Sequence, residues 1–445
     1  MKTSAEGFPR AGTGREILTC LAVFLAAAAL LLGALTAAAC IPRKAIEDNV
    51  RTSAEYLCRG KLFGKVLPEV KSSTIDRYAD SILLNIAWCY DGEHPLRSVL
   101  VSSYYYTPDQ NENDNLRDAV TGHLPPNQQY LRYWHGSNAL VTPLLTVLDL
   151  KGIYVLHGAV LAVSAAALLI VLVRKRAYAP AIGVGAGIVA AGFWFVPLSL
   201  EYYWVCELML LLSLGVVLLE NRAGPGFWAP FFLVGGILTS YLDFLTAETL
   251  TVLVPLLLLL WLRRDLPPRR TALTLVPAWA IGYAGMWVLK WALAGLAMGE
   301  DPMAYVTEHI GERVNGGFYA LGEGEDPIPL LPGAVLLNVG CLFPLDYEVA
   351  GALATVALAV FLAYYAYVYR RTGWDRTLVL TMGILGLVPY LRFLVLRNHS
   401  FLHCFFAYRA QTATVLALVL LLAETTARRR RETVEAARKR RERTE

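Results

Sequence analysis

The chain alternates runs of about twenty apolar residues with short charged links, and this alternation decides which solvent it folds in. A run of that length crosses the ~30 Å hydrocarbon layer as a helix, which closes every backbone hydrogen bond within the segment. Spans are expected at 17–39, 152–173, 180–199, 203–220, 228–246, 248–262, 272–296, 348–368, 377–396 and 409–424. Hydrophobic residues make up 56% of the 445 and charged residues 17%, with a mean hydropathy of +0.46. A soluble domain carries about 25% charged residues. The expected fold is an all-α polytopic membrane protein of about ten transmembrane helices with a large, partly helical first extracytoplasmic loop.

The distribution of charge gives an orientation. Basic residues gather at Arg174-Lys175-Arg176, Arg263-Arg264, Arg269-Arg270, Arg370-Arg371, Arg376 and in the tail from Arg428 to Arg443. Ten spans that start inside put all of these on the cytoplasmic face, as the positive-inside rule requires, although none was used to choose the spans. The domains then read as a cytoplasmic N-terminus (1–16), a first transmembrane helix (17–39) and an extracytoplasmic loop (40–151). Transmembrane helices 2–7 (152–296), a second outer loop (297–347), helices 8–10 (348–424) and a basic cytoplasmic tail (425–445) follow. Both termini face the cytoplasm of a cell whose plasma membrane holds the chain. The basic tail beside a membrane helix fits anionic headgroups, so the expected partner is the lipid bilayer and no nucleic acid. Ala37-Ala38-Ala39 before Cys40 resembles a signal-peptidase or lipobox site, but the long apolar run reads as an uncleaved anchor.

A polar stretch as long as 40–151 between spans is usually functional. Apolar spacing at 75, 79, 82, 83, 86, 87 and 90 predicts a helix over 75–90 that places Asp76 and Asp80 on one face near its N-terminus. Asn111–Asp118 reads as a polar turn, 301–315 as a short surface helix and 333–345 as an amphipathic or re-entrant piece. The seven cysteines show no metal spacing. Cys58 and Cys89 share the loop and are a candidate disulfide if it meets an oxidising compartment.

Ionisable residues in spans are expensive and mark function. Glu201, Glu207, Asp243, Glu248, Lys290, Arg392, Arg397 and Arg409 all fall at predicted outer ends, which suggests a polar cavity opening outward. Arg397, His399, His403 and Arg409 cluster around an outer turn and suit a phosphate at the lipid interface, because guanidinium donates in pairs and stays charged. Asp76 and Asp80 suit base and positioner, or metal ligand, in a glycosyl transfer; helix capping is the alternative. Glu47-Asp48, just past the first span, is a rival acidic pair. Arg132, Tyr133, Trp134 and His135 suit a sugar face or a phosphate, or form a packing hinge. Asp243 and Glu248 would contact sugar or a supporting arginine.

These features together resemble the C-type membrane glycosyltransferases, which include protein mannosyltransferases, arabinosyltransferases and the catalytic subunits of oligosaccharyltransferase. The segments DRYADSILLNIAW (76–88), RYWHG (132–136), SYLDFLT (240–246) and RNHSFLHCFFAYR (397–409) further resemble uncharacterised bacterial multi-pass proteins linked with surface-polysaccharide assembly. The resemblance implies transfer of a sugar from a polyprenyl-phosphate donor to a glycan or protein acceptor at the outer leaflet, with a first-loop acidic residue as base. No cofactor is required, and a divalent metal (Mg²⁺ or Mn²⁺) is compatible with the acidic pair. A transporter or flippase of lipid-linked anionic glycans and a non-catalytic scaffold in polysaccharide assembly are the alternatives. A transporter would favour an internal repeat and midplane charge, which the sequence lacks.

Overall fold

The computed structural model describes residues 14–299, 330–342 and 375–424, and single positions at 301, 303, 307, 311, 357, 358, 360, 361 and 364. Most of the expected span at 348–368 and of the surface helix at 301–315, and the tail at 425–445, lie outside the described residues.

Among the described residues, seven helices are long and apolar enough to cross a bilayer. They are α1 (Gly14–Ala39), α7 (Leu150–Arg174), α9 (Leu200–Leu219), α10 (Trp228–Leu242, preceded by a single turn from Pro225), α12 (Pro268–Met298), α14 (Arg376–Val395) and α16 (Cys404–Glu424). The protein is thus an all-α membrane protein. Two expected spans are shorter than their apolar runs: α8 (Tyr178–Ala190) and α11 (Leu250–Leu262), each 13 residues and so about 20 Å long. Helix α8 ends where Gly192 turns left-handed (φ +58°), and a 3₁₀ segment carries the chain past Pro197. Helix α11 starts late because 243–249 is an irregular turn with Leu245 at φ +65°.

The helices pack as membrane helices do, through small residues. Where α10 crosses α12, a Cβ added at Gly236 would run into the Trp279 carbonyl, and one at Gly282 into the Leu233 carbonyl.

The first loop folds as a layer on one end of this bundle. It contains α2 (Arg43–Cys58), a two-stranded antiparallel ribbon of β1 (Phe63–Lys65) and β2 (Thr74–Asp76), α3 (Arg77–Trp88), α4 (Pro95–Val101), α5 (Glu112–Thr121) and α6 (Asn138–Leu144). The expected helix at 75–90 is α3. The expected turn at 111–118 is instead the start of α5, because the Asn111 side chain accepts from the N–H groups of Asn113 and Asp114 and caps a helix. Cys58 and Cys89 are not bonded to each other: the Cys58 thiol donates to the Asn113 carbonyl and the Cys89 thiol to Asn85.

Polar groups pin the layer to the bundle. Lys290 of α12, fully buried, donates to the carbonyls of Val99 (3.1 Å) and Leu100 (2.8 Å) and to Ser102 (3.4 Å), ending α4 with a charge that opposes its dipole. The Trp134 indole donates to the Met286 carbonyl at 2.9 Å. Two further helices, α13 (Leu330–Leu342) and α15 (Arg397–Leu402), pack against each other at the same end, with Asn338 donating to the Ser400 carbonyl at 2.8 Å.

Candidate functional site

Between this layer and the helix ends lies a cavity of about 220 Å³. Its walls come from five separate stretches: Phe63 of β1; Asp76, Tyr78 and Ile82 at the start of α3; the segment Tyr130–His135; Glu201 in the first turn of α9 with Phe244; and His399, His403 and Phe406. Pockets for drug-sized ligands hold about 300–1,000 Å³, so this one seats a single small ring.

At one wall two carboxyls meet. Asp76 caps α3, its Oδ1 accepting the Ala79 N–H at 2.8 Å, and its carboxyl is in hydrogen-bond contact with that of Glu201. Two carboxyls can share such a contact only if one carries the proton. Burial pushes Asp76 upward from the usual carboxylate range. The second Glu201 oxygen, Oε2, is buried and has no hydrogen-bond partner among the described residues. The arrangement can therefore take up or give one proton at a buried position facing the cavity. The same two carboxyls could offer two oxygens to a divalent ion. Among the described residues the one compact group of three metal-ligating side chains is Asp91, Glu93 and His94, all exposed and none of them lining the cavity.

Asp80 plays another part. It is fully buried behind the cavity, where its Oδ1 accepts from the Leu200 N–H (2.8 Å) and the Ser199 hydroxyl (3.2 Å), and its Oδ2 accepts from the Tyr154 hydroxyl. It thus caps α9 from outside that helix and ties α3 to α7 and α9. Burial raises Asp80 to about 7, against the Tyr154 bond that lowers it.

His135 lines the same cavity. It is 1% exposed, stands at φ +51°, and neither ring nitrogen has a hydrogen-bond partner among the described residues. A non-glycine residue held left-handed at a cavity wall is the kind of local strain that collects at functional sites. The turn is fixed by the Gly136 N–H donating to the Tyr241 carbonyl at 3.1 Å, an approach that leaves no room for a Cβ at 136. Burial, then the charges of Lys290 and Arg132, push the imidazole well below its ordinary value, so His135 is neutral and presents one donor and one acceptor. Tyr130 (4.9 Å between ring centres) and Phe244 (5.7 Å) pack on its ring.

Another wall is basic. The His399 Nε2–H donates to the Leu245 carbonyl at 2.8 Å, which leaves Nδ1 as its second polar atom. His403 stacks on Phe406 at 5.1 Å and lies 4.8 Å from the His399 ring. The Arg132 guanidinium lies over Tyr130 and Tyr133 at 5.6 and 5.9 Å.

Of the residues expected at a site, the fold brings Asp76, Arg132, Tyr133, His135, His399 and His403 to one cavity. The others lie elsewhere. Trp134 is a packing anchor. Arg409, 1% exposed, is sandwiched over Tyr202 (4.7 Å) and Tyr408 (5.1 Å), and Arg397 is half-buried outside the lining. Glu248 is held by Arg392 (2.9 Å), and Asp243 accepts from the Thr246 N–H and hydroxyl, so both shape the 243–249 turn. The rival pair Glu47-Asp48 sits in α2 away from the cavity, with Glu47 bonded to Arg51 at 2.6 Å and Asp48 exposed. The acid that sequence reasoning left without a role is Glu201; its signal was a carboxylate at the predicted outer end of a span.

No model of a known family, no curated protein and no solved structure matches the chain.

Proposed function

We propose that the protein is a membrane glycosyltransferase that moves one sugar from a polyprenyl-phosphate donor to a hydroxyl of a glycan or protein acceptor at the outer leaflet. The observation that carries the proposal is one cavity lined by a proton-sharing pair, Asp76 and Glu201, by the basic side chains Arg132, His399 and His403, and by aromatic rings. In the reaction the acceptor O–H gives its proton to the ionised member of the pair while its oxygen bonds to the sugar C1. The C1–O bond to phosphate breaks, and the phosphate leaves with the electron pair toward the basic wall. Preorganised donors at the place where charge develops are the largest single aid to such a step. Neutral His135 reads a sugar hydroxyl, since a neutral imidazole both donates and accepts. Asp76 and Glu201 would hold a divalent metal if one binds.

Binding of polyprenyl phosphate, the released product, tests the basic wall. Wild type should bind it saturably, and Arg132→Ala with His403→Ala should weaken it about tenfold or more, as charged hydrogen bonds of about 1.5–3 kcal/mol imply. Equal affinity in wild type and the double variant would remove the phosphate from this cavity.

A further inference from the structure

A second cavity lies at the other end of the bundle and shares no residue with the first. It is a groove of about 430 Å³ between α12 and α14, lined by Arg269, Ala272, Leu273, Thr377, Leu380, Thr381, Ile384 and Leu385. Its apolar walls face outward, with Leu273, Leu380 and Ile384 each about two-thirds exposed (66%, 65% and 64%), as suits contact with a lipid chain rather than with water. The one charged lining residue, Arg269, lies at the end where both helices begin, and the two lining hydroxyls, Thr377 and Thr381, lie in the first two turns of α14.

The charges at this end are not all used. Lys175 pairs with Glu220 (2.7 Å), Arg263 with Asp265 (2.7 Å) and Arg264 with Glu424 (3.1 Å). Arg269 and Arg376, which precede the groove on α12 and α14, make no ion pair or side-chain hydrogen bond among the described residues. The nearest acid on α14, Asp375, is occupied in capping that helix through the Leu378 N–H. An apolar trough of membrane-facing side chains that ends at Arg269, which has no ion pair among the described residues, fits a tail joined to an anionic headgroup.

The geometry points to a specific site for an anionic glycerophospholipid, one acyl chain lying along Leu273, Leu380 and Ile384 and its phosphate on Arg269. The groove and the glycosyl-transfer cavity are at opposite ends of the helices, so this site is independent of the proposed activity.

The test uses the full chain in nanodiscs of phosphatidylglycerol and phosphatidylethanolamine, released into the gas phase so that retained lipids are counted by native mass spectrometry. Wild type should retain phosphatidylglycerol in preference to phosphatidylethanolamine. Arg269→Gln should reduce that preference about fivefold, from roughly 1 kcal/mol per basic residue near the surface. Ile384→Trp, which fills the groove from the lipid side without touching the core, should reduce retention as much. Arg222→Gln, an exposed arginine at the same end and outside the groove, should leave it unchanged. No headgroup preference in wild type would overturn the proposal. So would equal loss in Arg222→Gln, which would mean diffuse surface attraction, or full retention in Ile384→Trp.

Discussion

At the scale of single residues, two aspartates one helical turn apart do different work. Asp76 faces the cavity and touches Glu201, whereas Asp80 turns away to cap α9. Asp76→Asn should lower turnover by a hundredfold or more, the usual worth of a positioned acid or base. Asp80→Asn keeps acceptors for Leu200 and Ser199 and should keep most turnover, which steady-state rates of folded protein will separate. The raised Asp80 value also fixes the sign of a pH effect. The native state holds a proton there up to about 7 while the unfolded chain loses it near 4, so stability is fully present at low pH and falls as pH rises across that window. Thermal unfolding in detergent between pH 4 and 7 should show the fall in wild type and a flatter profile in Asp80→Asn. The four-residue spacing in the sequence was real and capping was one of its readings, but it did not say which aspartate would cap α3 and so leave the helical face. Nor could it join Asp76 to Glu201, a contact that tertiary packing alone creates.

At the scale of elements, the apolar periodicity announced α3 and most spans, because burial in lipid or against the bundle writes directly into side-chain hydrophobicity. What it left out were the interruptions. Of the two readings for Asp243 and Glu248, sugar or a supporting arginine, Glu248 takes the arginine, Arg392, while Asp243 holds Thr246 in an irregular turn, a local solution that hydropathy does not encode. Lys290 likewise read as an outer-end cation and proved to be the cap of α4. Lys290→Met should leave the Val99 and Leu100 carbonyls without a donor and cost about 1–3 kcal/mol for each buried group, seen as a lowered unfolding temperature. The two loop cysteines give another check. Both are thiols pushed up to about 11, chiefly by burial, so both should label fully in denatured, unreduced protein and slowly in native protein.

At the scale of the whole molecule, the two ends of the bundle carry opposite chemistry. Helix α9 bears Glu201 at the cavity and leads at its far end to Glu220, where Lys175 (2.7 Å) and Arg263 (2.6 Å, to the carbonyl) collect. Helix α16 runs in the same way from the cavity residue Phe406 to Glu424, paired with Arg264. The positive-inside rule predicts that the basic end faces the cytoplasm and the cavity faces outward. An impermeant thiol reagent should then reach the exposed Cys40, beside the loop layer, from outside intact cells, and a cysteine placed at Arg222 only after lysis. The gathering of basic residues at one end of the helices was the most legible property of the chain, since it depends on charge counts between spans rather than on any contact.

The measurement that bears most directly on the proposed function is the release of polyprenyl phosphate from a panel of polyprenyl-phosphate sugars by purified protein in lipid. Wild type would be assayed beside Glu201→Gln, Asp76→Asn and Asp80→Asn. Release by wild type and Asp80→Asn, and its loss in Glu201→Gln and Asp76→Asn, is the predicted pattern. No release from any donor by wild type, or undiminished release in both cavity variants, would contradict it.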